Sequence, residues 1–257
     1  SRVAFQDMMS QTIAGASAPT DIRGGINAQQ VGLGSQIGAI DVIHTQGNRQ
    51  TTNRTLDLAL EGDGMFIFAS GTNLAQFELE DVNLAYSRAG NMYLDDNDNI
   101  VNANGEYLVG HIADENGELV VPEQTGRITI PPTASSFSIQ GDGTVNYIDE
   151  NNQTKVAGQI MLAKFANPGG LEQIGSNMYR STVNDGMIDT DGDGLPDFIT
   201  PESEGSAEIV SGALEMSNVD LAEEFTDMIV AQRGFQANTR IITTSDEILQ
   251  ELVNLKR

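Results

Sequence analysis

Leu221, Met228, Phe235, Ile242 and Leu249 fall seven residues apart near the end of a 257-residue chain. A sevenfold apolar repeat puts side chains on one stripe of a helix, the pattern of a coiled-coil-like seam. Phe225, Leu252 and Val253 widen the stripe. Ser217 or Asn218 is placed to cap the start, with Asp220 and Glu223 in the early turns and Lys256 and Arg257 at the end, where cations suit the helix dipole. The spacing predicts a helix of about 35–40 residues, weakened locally by Gly234 and Thr243-Thr244. An apolar stripe of ordinary length packs on its own domain. One this long projects beyond a small β domain, and residues 1–45 offer no partner of matching length. The stripe is therefore expected to pack on another copy of the chain or on a segment outside this sequence.

Upstream the period changes to two. Leu56, Leu58 and Leu60 alternate with Asp57, Ala59 and Glu61, which predicts a half-buried strand. Gly62-Asp63-Gly64 signals a turn and Met65–Phe68 a second strand. Further strands are expected at 87–94, 107–112, 128–130, 137–139, 144–148 and 159–165, separated by polar turns such as 95–99 and 141–143. No amphipathic segment of helix length lies between them, which favours antiparallel hairpins over βαβ crossovers. Residues 3–9 read as a short amphipathic helix, followed by an extended or irregular stretch rich in Gly, Ser, Ala and Gln. The expected fold class is mainly β, an antiparallel β domain with irregular extended segments, plus one long C-terminal α-helix. The expected organisation is 1–45 as short helix and connecting segment, 46–214 as β domain, and 215–257 as helical segment.

Charge excludes several functions. Thirty-seven Asp and Glu against 13 Lys and Arg leave a formal charge of −24. A nucleic-acid binder needs cations to displace counterions from phosphates, and docking on an anionic membrane needs them too. No apolar run approaches the length of a membrane span, and no basic segment with an apolar core opens the chain as a signal peptide would. With no Cys, disulfides, thiol catalysis and zinc–thiolate sites are excluded.

Catalytic motifs are equally sparse. Gly32-Leu33-Gly34-Ser35-Gln36-Ile37-Gly38 has three residues before its last Gly where a dinucleotide fingerprint has two, and a strand-like run follows instead of a helix. His44 and His111 have no neighbour at metal spacing, and neither a nucleophile elbow nor a phosphate loop is present. No enzyme is expected. One local signal is sharp. Asp189, Asp191, Asp193 and Asp197 occupy positions 1, 3, 5 and 9 of a calcium loop, with the Leu195 carbonyl at 7 and Gly194 at the turn. Thr200 replaces the bidentate Glu at position 12. Calcium is thus the candidate cofactor, though none is required, against a plain solvated acidic loop.

Several stretches carry a resemblance. Gln30–Gly34, Thr45-Gln46-Gly47, the run from Thr55 to Phe66, Tyr86–Asn91 and Val101–Gly105 are similar to the signature of the bacterial flagellar axial proteins, with Met65 where Phe or Tyr is usual. The most specific match runs from Glu215-Met216-Ser217-Asn218-Val219-Asp220-Leu221 through Gln232-Arg233-Gly234-Phe235-Gln236-Ala237-Asn238. The chain most resembles the flagellar hook protein, lacking the family's N-terminal helix with its Asn-rich motif, which would precede Ser1. The resemblance implies pairing of N- and C-terminal helices in an inner tube, and export through the flagellar type III apparatus without a cleaved signal peptide. It also implies an extracellular place in the hook or basal body. The implied partners are further copies in a helical polymer, together with rod, hook–filament junction and hook-cap proteins. A hook subunit would help build a curved tube that carries torque from rod to filament. The nearest alternative is the distal rod protein, which shares the architecture in a straight tube. From another class, a secreted calcium-dependent adhesive or carbohydrate-binding module would use the Asp-rich loop but leaves the helix unexplained.

Overall fold

A computed structural model describes residues 2–7, 9–18, 24–25, 27–32, 35–71, 82–114, 117, 119, 124–186, 188, 197–203 and 205–255. The chain divides into two compact units, Ser1–Glu215 and Met216–Arg257. The first is antiparallel β with irregular connections; the second holds one long helix.

The chain opens with four strands, β1 (Arg2–Asp7), β2 (Ser10–Ala14), β3 (Gln29–Gly32) and β4 (Ser35–Asp41). β1 pairs with β4, and β2 with β3, both antiparallel. The register carries over from one ladder to the next: Asp7 faces Ser35 and Ser10 faces Gly32, three residues further along each strand. This overturns the short helix expected at residues 3–9. A helix of seven residues makes too few hydrogen bonds to offset its nucleation, whereas pairing with β4 supplies partners along the whole strand.

The body of the first unit begins with β5 (Arg49–Thr51), β6 (Leu58–Glu61), β7 (Met65–Ser70), β8 (Asn83–Ser87), β9 (Tyr93–Leu94) and β10 (Ile100–Val101). It continues through β11 (Tyr107–Ile112), β12 (Thr125–Arg127), β13 (Ser136–Ile139), β14 (Thr144–Ile148), β15 (Thr154–Ile160) and β16 (Leu162–Ala163). β17 (Glu172–Gly175), β18 (Met178–Arg180), β19 (Glu208–Ser211) and β20 (Ala213–Glu215) complete it. The main sheet runs β13-β14-β15-β11-β7-β8-β18-β17, with β9, β10, β12 and β16 attached along it. β11 joins its two halves: Tyr107 and Leu108 pair with β7, while Gly110 to Ile112 pair with β15. Two small ladders, β6 with β19 and β5 with β20, bring the end of the unit back to its beginning.

Strand β7 explains the core. Phe66 and Phe68 pack with Leu58, Leu60, Leu108 and Ile160, while Met65, Ile67 and Ala69 pack with Tyr86, Val109, Met161 and Ala163. A strand covered on both faces reads as a continuous apolar run, as Met65–Ala69 does. The same holds for residues 56–60, whose alternation suggested one buried face: Asp57 and Ala59 are also buried. Asp57 tolerates burial because the Arg54 guanidinium lies 3.1 Å away and its own carbonyl accepts from the Gly212 and Ala213 N–H groups.

Other expectations shift. The strand predicted at 87–94 is split: β8 ends at Ser87, an irregular crossing runs through Gly90, and β9 takes up Tyr93–Leu94. There the Leu58 N–H donates to the Gly90 carbonyl at 2.9 Å, and a Cβ at Gly90 would collide with the Leu58 carbonyl. No strand forms at 128–130; Ile128 and Ile130 are buried there, and the adjacent ladder is β12, ending at Arg127. Between them only Thr129 makes a bridge, to Asn99.

Helix α1 (Leu221–Leu255) spans 35 residues, about 50 Å at 1.5 Å per residue. It runs through Gly234 and Thr243-Thr244 without a break.

Candidate assembly surfaces

The cap of α1 is neither Ser217 nor Asn218 but Asp220. Its Oδ1 accepts from the Ala222 N–H at 2.8 Å and its carbonyl from the Glu224 N–H at 3.1 Å. Asp is as strong a cap as Ser or Asn, and a carboxylate gains further from the helix dipole. Ser217 instead closes a turn upstream, accepting from the Val219 N–H. Thr226 and Thr239 satisfy their hydroxyls on the helix itself, donating to the Ala222 and Phe235 carbonyls. Lys256 and Arg257 lie outside the described residues.

The sevenfold stripe is uncovered where its side chains are described. Leu221 is 67% exposed, Phe225 58%, Met228 53% and Phe235 76%. Ile229 and Val230, which the period did not single out, are exposed as well. Ile242, Leu249 and Leu252 belong to the same helix, with side chains outside the described set. Burying one such side chain contributes roughly 1.5–3 kcal/mol, so a contiguous exposed stripe is a strong driving force for association. A 35-residue helix in water also takes most of its stability from packing.

The paired strands β1–β4 and β2–β3 form a second exposed element. Every described side chain from Met9 to Ala18, and every one from Asn27 to Ala39, is exposed. A two-stranded ribbon with no sheet or helix beneath it is marginally stable alone in water. The sequence predicts only a connecting segment here, where the structure has a ribbon. The available signal was the β-branched residues Thr12, Ile13 and Val31, the first two in β2 and the last in β3 opposite Gln11, within a stretch otherwise rich in Gln and Gly.

Charge is segregated between these surfaces and the β body. Residues 46–215 hold 27 of the 37 Asp and Glu but only 7 of the 13 Lys and Arg. Several of those cations are already engaged: Arg49 with Glu61, Arg88 with Glu215, and Lys155 with Asp149. Arg54 also stacks over Tyr93, and Arg127 over Tyr107. Residues 1–45 hold 3 Asp and Glu against 2 Lys and Arg, and residues 216–257 hold 7 against 4, so both regions carry far less net charge than the β body.

Of the expected calcium ligands, Asp189, Asp191, Asp193 and Leu195 lie outside the described residues. Asp197 is half-buried, and its N–H donates to the Ile188 carbonyl at 2.8 Å, tying the two ends of the loop together. Among the described residues no three His, Asp or Glu side chains are grouped to hold a metal. No described helix is long and apolar enough to cross a membrane. His44 lies against Tyr179 edge to face at 5.4 Å, and burial together with the Arg88 charge lowers its pKa.

An antiparallel β unit, an exposed apolar helix and an exposed ribbon are the features of a structural subunit. Comparison with known proteins narrows the class. The family description "Flagellar hook protein FlgE/F/G D1 domain" matches residues 59–147, and "Flagellar basal body rod FlgEFG protein C-terminal" matches residues 210–255. The chain is 49% identical over 257 residues to the flagellar basal-body rod protein FlgG of Bacillus subtilis, covering all of this chain and 86% of that protein. It is 35% identical to the rod protein FlgG of Borreliella burgdorferi, again over all of this chain and 86% of the relative. Against the flagellar hook protein FlgE of the same organism it is 29% identical over 422 aligned positions, covering 99% of this chain and 91% of that protein. The chain belongs to the flagellar hook and rod family of axial proteins.

Proposed function

We propose that this chain is a subunit of the flagellar rod, where the sequence motifs alone favoured the hook. The observation that carries the reading is collinearity. Alignment with the B. subtilis rod protein takes 257 positions for a 257-residue chain, so the two match almost without insertion. Alignment with the B. burgdorferi hook protein needs 422 positions for the same residues, so that relative carries a long stretch with no counterpart here.

In this role the subunit is structural and catalyses nothing. The α1 stripe packs against helices of neighbouring copies, and the ribbon lies on a neighbour that supplies its missing layer. Contacts of this kind join different patches on successive subunits, and because they do not close on themselves they generate a helical tube. Dense apolar packing among helices makes the tube stiff to twisting, as torque transmission requires. The acidic β bodies, repelling one another, contribute wet and weak contacts. Export through the flagellar type III route and junctions with other axial proteins complete the reading.

Electron microscopy of tubes assembled from the chain tests it, combined with gold labelling of a tagged copy in isolated basal bodies. The rod reading expects straight tubes and label on the segment below the hook. Curved tubes with label on the external hook would make it a hook protein. A chain that stays monomeric at all concentrations and labels neither would remove it from the axis altogether.

A further inference from the structure

The point where the chain enters the β body from the ribbon and the point where it leaves towards the helix are held by one side chain. Glu215 is the last residue of the first unit. Its Oε1 accepts from the Gly47 N–H at 2.8 Å, and its Oε2 accepts from the Arg88 Nε–H at 2.6 Å. The Glu215 side chain is only 10% exposed, so both oxygens are committed in a largely water-free setting, where charge-assisted bonds are strong.

Arg88 is in turn anchored. Its Nη2 donates to the Gly62 carbonyl at 2.8 Å and its Nη1 reaches the Gly64 carbonyl at 3.4 Å. The turn carrying those carbonyls is rigid. Gly62 has φ +121, and a Cβ there would press on the Ala207 backbone at 3.1 Å. The Ala207 N–H also donates to the Asp63 carbonyl at 3.0 Å. The entering segment has further ties, from Gln46 Nε2 to the Leu60 carbonyl and from Arg49 to Glu61. The β5–β20 ladder sets Glu215 opposite Arg49.

We propose that Glu215, held by Arg88, is a positioning residue for assembly. One carboxylate locks the chain's entry into the β body to its exit, so that force applied through ribbon or helix reaches the same rigid turn. The Gly47 N–H bond brings the entering segment onto the same carboxylate that holds Arg88. The proposal rests on the reading of ribbon and helix as assembly surfaces.

Amide exchange of the unassembled full chain tests it. Glu215→Ala is expected to speed exchange at the Gly47 N–H, and through β5 and β20, by about tenfold, while amides of β7 keep their protection. Glu215→Gln is gentler: its amide oxygen can still accept from Gly47 while the charge is lost, so a smaller acceleration is expected there. The double variant Arg88→Glu with Glu215→Arg keeps an ion pair but leaves Gly47 without an acceptor, and should be as unprotected as Glu215→Ala. Unchanged exchange at Gly47, equal acceleration in β7, or rescue by the double variant would each overturn the proposal. In assembled tubes, Glu215→Gln should broaden the spread of subunit orientations, and tubes as regular as the parent's would count against it. Failure of the parent chain to polymerise would instead sink the assembly reading, since the joint is read in the unassembled protein.

Discussion

Phe66 and Phe68 of β7 are fully enclosed, whereas Phe225 and Phe235 of α1 are more than half exposed. The same residue type thus meets opposite fates in the two units of one chain. In the β body, neighbouring strands cover both faces of β7, and the apolar clusters there are closed. On the helix the apolar stripe is as regular as any core strand, yet water reaches its described members. Enclosed side chains stabilise the subunit; in the proposed assembly, uncovered ones add theirs only when a neighbouring copy covers them.

Mutations can break or sharpen this contrast. The largest effect on the unassembled chain should come from Phe66→Ala, which leaves a cavity and costs about 3–5 kcal/mol, read by denaturant unfolding of the β body. Next is Gly90→Ala, whose new methyl meets the Leu58 carbonyl; a loss of about 1–3 kcal/mol is expected, and an unchanged midpoint would show that the crossing relaxes. Asp220→Ala removes the helix cap and should cost about 1 kcal/mol, seen as reduced helicity by circular dichroism with the β body intact. Phe235→Ser should alter the stability of the unassembled chain by less than about 0.5 kcal/mol while abolishing polymerisation, measured by sedimentation. If it instead destabilises the monomer as Phe66→Ala does, the contrast between the units is false.

The smallest effect expected is on pH. Burial and Arg88 lower the His44 pKa, so the unfolded chain takes up a proton more readily than the folded one. The contribution of His44 is therefore whole above the ordinary histidine value near 6.5 and shrinks as pH falls through it. Melting curves at pH 7.5 and 5.5 for the parent and for His44→Gln should differ slightly in slope, with the parent losing more on acidification.

Much of the fold was legible in residue patterns because local periodicity reports burial. The strands at 107–112 and 144–148 fall where the alternation placed them, and α1 has the expected length. The failures have physical causes. Residues 87–94 carry strand-forming side chains, but Gly90 is needed where two backbones touch, and that contact breaks the ladder. Residues 3–9 carry an apolar pattern compatible with helix or strand, and the choice fell to a partner strand some thirty residues away. The cap moved by two or three residues because Ser217, Asn218 and Asp220 all suit the position.

The candidate surfaces divide in the same way. Leu221, Phe225, Met228 and Phe235 were readable as one stripe because neighbours along a helix are neighbours in sequence. The Arg88–Glu215 joint was not, since its partners lie 127 residues apart. Periodicity, composition and charge alone determined that this chain would be β with one long helix carrying an apolar stripe. Which strands enclose β7 on both faces, how the ribbon pairs, and which carboxylate ties Gly47 to Arg88 were decided only in three dimensions. Such long-range pairings depend on chain segments brought together by the core, and no local pattern encodes them.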